Sequence, residues 1–122
     1  MRIKEVYVMR PKRRHDAPQR VVTSALTHDT LYEMVFHDTY GKDVEDLQDE
    51  AFRFIKRIYE EEEYDHIALH PSGMVLAMTA FLAAWQEWQG VSKMIDRGLS
   101  ILHQKGSDEV WSEQVWWGRA IL

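Results

Sequence analysis

The run His66-Ile67-Ala68-Leu69-His70, broken by Pro71-Ser72-Gly73 and followed by a stretch, Met74 to Trp88, that is apolar almost all round, leaves this chain few folds to choose from. A short apolar run bounded by breakers has the length of a buried strand. A helix without a polar face has to be covered, and a sheet is the surface suited to cover it. Strand, turn and helix in that order make the first part of a β–α–β crossover, so the core is predicted to be an α/β layer. Its longest apolar stretch, Met74 to Trp85, is too short to cross a bilayer, which again argues for burial in protein and against membrane partners.

The remaining chain agrees with one domain spanning 1–122. A length of 122 residues lets a domain bury roughly two-thirds of its unfolded surface without disulfides or a structural metal. A hydrophobic share of 45% with 29% charged residues is globular rather than disordered. The absence of cysteine excludes a disulfide scaffold, a thiolate zinc site and a cysteine nucleophile, and it fits a cytoplasmic protein. Met1 leads into charged residues rather than an apolar signal segment, which fits the same compartment. A net charge of −5 argues against a general binder of duplex nucleic acid. Arg10, Lys12, Arg13, Arg14 and Arg20 nevertheless cluster, either to focus an anionic ligand or as a solvated loop.

Along the chain, Ile3 to Met9 reads as a strand, and Pro11 and Pro18 bracket a loop or edge segment. Val21 to Leu26 and Leu31 to His37 read as two more strands, the second with a short helix as the alternative. Val44, Leu47, Ala51, Phe54, Ile55 and Ile58 share a helical face, with Asp43 as N-cap. Glu60 to Glu63 oppose the dipole at the far end, so fraying into solvent is expected there, with a carboxylate metal cluster as the alternative. After the unit at 66–88, Gly90 should stop the helix. Ser92 to Ile95 and Leu99 to His103 then read as strands around an Asp96-Arg97-Gly98 turn. The tail from Val110 to Leu122 is open between helix and strand. The expectation is an α/β (α+β) fold: a mixed sheet of about five strands with two main helices, in the order β-β-β-α-β-α-β-β.

The 70–73 turn is the expected ligand site. Amides at a helix start lack internal partners and carry partial positive charge, so anions and phosphates bind there. Such a position, beyond the carboxyl end of a strand, is where open α/β sheets place ligands. Ser72 either caps the helix or donates to a ligand oxygen, and Gly73 either eases a tight turn or admits a ligand to the backbone. His70 stands beside the turn as a donor or a general acid/base, or as a structural histidine. His66 falls on the same strand face, while Asp96 and His103 are candidates to converge on the same edge. No metal and no cofactor is called for. The adjacent Trp116 and Trp117 point to a second subunit or another partner.

His70-Pro71-Ser72-Gly73, the apolar helix through Trp85 and the segment Lys93 to His103 together resemble a small CRISPR-associated family that degrades cyclic oligoadenylate. The parallel covers about residues 31–103. The resemblance implies a homodimer that binds a cyclic oligonucleotide second messenger and cleaves it as a ring nuclease. Asp96 and His103 are the nearest matches to the family's aspartate and histidine, the histidine offset by a few residues; with His70 they are the expected catalytic residues, and Ser72, Gly73, His66 and Arg97 are the expected ligand-binding ones. Where the family has a catalytic histidine at the end of the apolar helix, this chain has Trp85, Gln86 and Trp88. That departure leaves the chemistry to His70 or His66, or leaves binding without cleavage, as in the nucleotide-sensor domains of the same systems. The competing expectation is a non-enzymatic interaction or inhibitor protein working through the tryptophan-rich tail.

Overall fold

Seven residues rich in β-branched and aromatic side chains, Ile3–Met9, form the first strand, β1. The computed structural model describes residues 2–9, 20–21, 33–94, 96–105 and 110–118, with side chains for 2–9, 33–94 and 96–102. After β1 come β2 (Arg20–Val21), β3 (Glu33–Phe36), helix α1 (Val44–Lys56) with a π-helical turn over Arg57–Glu61, β4 (His66–His70), helix α2 (Val75–Val91), β5 (Gly98–Lys105) and β6 (Val110–Gly118). They build one sheet in the order β2-β6-β5-β4-β1-β3. The contiguous strands β5, β4, β1 and β3 run parallel, whereas β6 returns antiparallel to β5 and carries β2 at its outer edge.

The chain is therefore the mixed α/β domain with two helices that its patterning predicts, but the sheet has six strands rather than about five. The expected strand over Ser92–Ile95 does not form through Met94, and Ile95 lies outside the described residues. Instead α2 runs past Gly90, and the Ser92 N–H closes it on the Trp88 carbonyl at 2.8 Å. Glycine inside a helix costs about 1 kcal/mol, which the packing of α2 overrides. The tail is strand over Val110–Gly118. Of the expected strand Val21–Leu26 only Val21 is described, in β2, and Leu31–His37 is strand over Glu33–Phe36. The basic cluster from Arg10 to Arg20 lies outside the residues with described side chains, as do the tail tryptophans.

Asp43 caps α1 as its position predicts, in a reciprocal capping box with Asp46. Leu47, Ala51, Phe54 and Ile55 then face the core. The acidic end does not fray. The widened π turn brings Ile58 and Tyr59 fully inside. The Tyr59 hydroxyl donates to the Gly98 carbonyl and accepts from Trp85 Nε1 at 3.1 Å. Burial pushes the Tyr59 phenol far above its usual range, so it stays a donor. The acidic run is mostly solvent-exposed, as expected, but two of its members are held: Glu60 accepts from Trp88 Nε1 at 2.7 Å and Glu62 pairs with Arg57. No group of three or more metal-ligating side chains forms among the described residues.

Helices α1 and α2 pack side by side. Between them and the sheet lies the main core, with Val6, Val8, Ile67, Leu69, Phe81, Trp88 and Leu99 among its buried members. Strand alternation sends Ile3, Ala68 and Leu102 to the other face, where they form a separate cluster. No helix among the described residues is long and apolar enough to cross a membrane.

At the start of β3, Glu33 bonds Arg57 at 2.6 Å and Lys4 at 3.1 Å. Burial pushes its carboxyl up, but the hydrogen bonds and charges of Arg57 and Lys4 outweigh this and hold it below 4.5. A carboxyl depressed by folding adds stability that is present above its unfolded value and is lost as pH falls through the folded value. Glu33→Gln is therefore expected to flatten the acid side of a melting-temperature profile run from about pH 6 to about pH 3. An unchanged acid slope would show that this cluster contributes nothing to the titration.

Candidate functional site

Two topological facts place the site. At the β1–β4 pair the winding reverses: β4 leads through α2 to β5 on one side, whereas β3, the next parallel strand after β1, lies on the other. A crevice opens beyond the carboxyl ends of strands at such a reversal, and ligands bind there in open α/β sheets. Two loops leave the sheet at that end, 37–43 after β3 and 71–74 after β4. They touch where Thr39 Oγ1 reaches Met74 Sδ at 3.8 Å.

Ser72 does not cap α2. Its Oγ accepts from the Met74 N–H at 3.0 Å, and Met74 itself is the N-cap, in extended backbone and with no side-chain hydrogen bond to the helix start. The first intrahelical bond is Met78 N–H to Met74 O, so the amides of Val75, Leu76 and Ala77 have no acceptor within the helix. The first turn also lacks an acidic residue, which leaves the positive end of the dipole uncompensated by a side chain. Gly73 does not use a left-handed backbone, and a Cβ there would meet nothing within 4 Å. The space beside it is open, so the turn does not require glycine for its own geometry.

His70 closes β4 just before this turn. It is 1% exposed, its Nε2 lies 2.9 Å from Glu5 Oε1, and its ring stacks on Tyr7 with centroids 4.5 Å apart. The parallel register sets Tyr7 directly beside His70, at the carboxyl end of β4. This trio ties the two strands together on the face away from the main core. Glu5 and Tyr7 were not among the sequence candidates. The signal for Glu5 was available: it is a carboxylate inside a strand whose neighbours are otherwise mostly buried apolar groups.

The other candidates divide between the two ends of the sheet. His66 shares a face with His70, as alternation predicts, but has its own partner, Ser100 Oγ at 2.8 Å, at the amino end of β4. Arg97 pairs with Asp96 at 2.9 Å and Asp65 at 3.7 Å, and the register His66↔Gly98 sets both Asp96 and Arg97 before the start of β5. The whole length of β4, roughly 15 Å, separates them from Ser72 and Gly73. The expected convergence of Asp96 on the turn does not occur. The reason is the crossover: α2 carries the chain back to the amino end before β5 begins, so the connection between α2 and β5, which holds Asp96 and Arg97, lies at the amino end. His103 falls two residues beyond Ile101, which pairs with Leu69, so its backbone stands level with Pro71. Its side chain lies outside the described residues.

A second concavity, of about 360 Å³, lies at the far end of α2 between Phe52, Lys56, Glu60, Trp88, Val91 and Met94. Its Glu60 and the Trp88 indole are hydrogen-bonded to each other. Comparison with protein families, with curated proteins and with solved structures finds no match to this chain.

Proposed function

We propose that this chain is a nucleotide-binding module. It holds the phosphate of a cyclic oligonucleotide, cyclic oligoadenylate in the first place, at the 70–73 turn, used twice across a homodimer. The observation that carries this reading is the start of α2: three amides without a helical or side-chain acceptor, next to open space, at the point where the sheet winding reverses. Ser72 and Gly73 contact the phosphate, and the Glu5–His70–Tyr7 trio fixes the strand end from which the turn departs. Binding is favoured over cleavage because His70 is enclosed by Glu5 and Tyr7, while Asp96 and Arg97 stand at the other end of the sheet. If the ring is cut, the 2′-hydroxyl attacks the adjacent phosphate as its proton leaves to a general base, and the P–O5′ bond breaks, with the 5′-oxygen taking up a proton, to leave a 2′,3′-cyclic phosphate and a 5′-hydroxyl; His103 is the histidine whose backbone stands level with the turn.

Titrating cyclic tetra-adenylate, with thermal shift and calorimetry as readouts and chromatography for linear products, tests both arms. Saturating ligand should raise the melting temperature, as any ligand specific for the folded state does. Gly73→Asp places a carboxylate at the helix start, where it suits the helix but repels phosphate. It is expected to weaken binding about tenfold or more while leaving the unliganded melting temperature unchanged or slightly higher. Linear products from the native protein would add cleavage to the reading. Equal affinity of native and Gly73→Asp protein, or no binding at all, would overturn it.

A further inference from the structure

The concavity at the far end of α2, of about 360 Å³, falls in the lower part of the range that small-molecule sites occupy. Its apolar lining comes from Phe52 of α1, the Trp88 ring and Met94, with Val91 beside them as an apolar side chain left 69% exposed. Three charged residues line the same space, Lys56, Glu60 and Lys93. Their bonding sets them apart. Of the lysines with described side chains, Lys4 and Lys42 each sit on a carboxylate, whereas Lys56 and Lys93 have no ion-pair partner among the described residues. Glu60 belongs to the π turn, and single π turns recur at functional sites. The Trp88 indole holds one of its carboxylate oxygens at 2.7 Å, while the other has no partner among the described residues. Glu60 is thereby a fixed acceptor with an unused oxygen. Helix α2 ends at the same place, and its last turn carries no basic residue to offset the negative end of the dipole.

An apolar lining, an acceptor for a cation and two unpaired ammonium groups in one small space suit a ligand with both charges on an apolar body. We infer that this concavity binds a free α-amino acid with an apolar side chain. Glu60 and the carbonyl end of α2 hold the ligand's ammonium, Lys56 and Lys93 its carboxylate, and Phe52, Trp88 and Met94 its side chain. A purely anionic ligand meets Glu60 and the helix end unpaired, and a purely cationic one meets both lysines unpaired, so the site selects for the zwitterion. The site stands about 25 Å along α2 from the 70–73 turn and does not depend on the nucleotide reading.

L-Phenylalanine, 3-phenylpropionate and 2-phenylethylamine, titrated calorimetrically into the native protein and its variants, test each part. The native protein should bind phenylalanine saturably and each single-charge analogue about tenfold or more weakly. Glu60→Gln keeps an acceptor for the indole, and Lys56→Met with Lys93→Met changes exposed side chains, so melting temperatures should stay near the native value. Glu60→Gln should weaken phenylalanine about tenfold without weakening phenylpropionate. The double lysine variant should weaken phenylalanine about tenfold without weakening phenylethylamine. Gly73→Asp, at the other end of α2, should bind phenylalanine as the native protein does. No saturable binding of phenylalanine, or of L-leucine in its place, at millimolar concentration would overturn the inference and leave the nucleotide reading untouched. So would an affinity indifferent to both sets of substitutions, or phenylpropionate bound as tightly as phenylalanine.

Discussion

Trp88→Ala is expected to lower the unfolding free energy by about 3–5 kcal/mol, read from urea denaturation followed by circular dichroism. Three losses combine in that figure. The side chain is 1% exposed in the main core, so its removal leaves a large cavity between α1, α2 and the sheet. Its ring stacks on Tyr59 with centroids 4.5 Å apart, and an aromatic pair is worth about 1 kcal/mol beyond burial. Its indole N–H is also the partner of Glu60 at the π turn. Since a domain of this size has roughly 5–15 kcal/mol to lose, the variant should be marginal at body temperature. Trp88→Phe keeps most of the volume and should cost about half as much. A loss below about 1 kcal/mol for the alanine variant would mean that the helices close over the gap.

The second large effect is expected at Glu5. Glu5→Ala removes a carboxylate that is 6% exposed and lies 2.9 Å from a His70 nitrogen that is equally buried. Breaking a buried pair by deleting one partner costs about 3 kcal/mol, more than the pair is worth, because the other group is left behind. Glu5→Gln keeps the shape and an acceptor oxygen, so its cost should be smaller, and the ordering Ala worse than Gln is the diagnostic result. Because His70 is the last residue of β4, the alanine variant should also loosen the 70–73 turn. Hydrogen exchange of the His70 amide, faster in Glu5→Ala than in Glu5→Gln, reports that directly. Equal stability of the two variants would mean that the carboxylate is not paired in solution.

The layer structure was legible because its signals are local. Strand β4 and helix α2 announce themselves by an apolar run and an apolar stretch on either side of a breaker, and α1 by its face and by Asp43. Register and strand order were not legible, because both depend on pairings between distant residues. That is why Asp96 and Arg97 looked close to the turn: in the sequence only α2 lies between them, whereas in the fold that helix spends its length returning to the amino end. The same holds for the trio at the strand ends. Nothing near His70 in the sequence names Glu5 or Tyr7 as its neighbours; the β1–β4 register does. The π turn was misread for a different reason. Charge at Glu60–Glu63 rightly argues for solvent, but Tyr59 immediately precedes those acids, and its burial rather than fraying decides the backbone there.

The position of β1 bears on how the chain comes to fold at all. It precedes both of its sheet partners in the chain, yet it lies inside the sheet, with Val6 beside Glu33 on one edge and Ile3 beside His66 on the other. Neither edge has its partner when β1 leaves the ribosome, and the second edge waits for His66–His70, beyond all of α1. Each of its two pairings therefore spends the entropy of closing a long loop before the contact returns it. Until β3 arrives both edges of β1 are open, and until β4 arrives one still is, which leaves this strand exposed to pairing with the wrong partner.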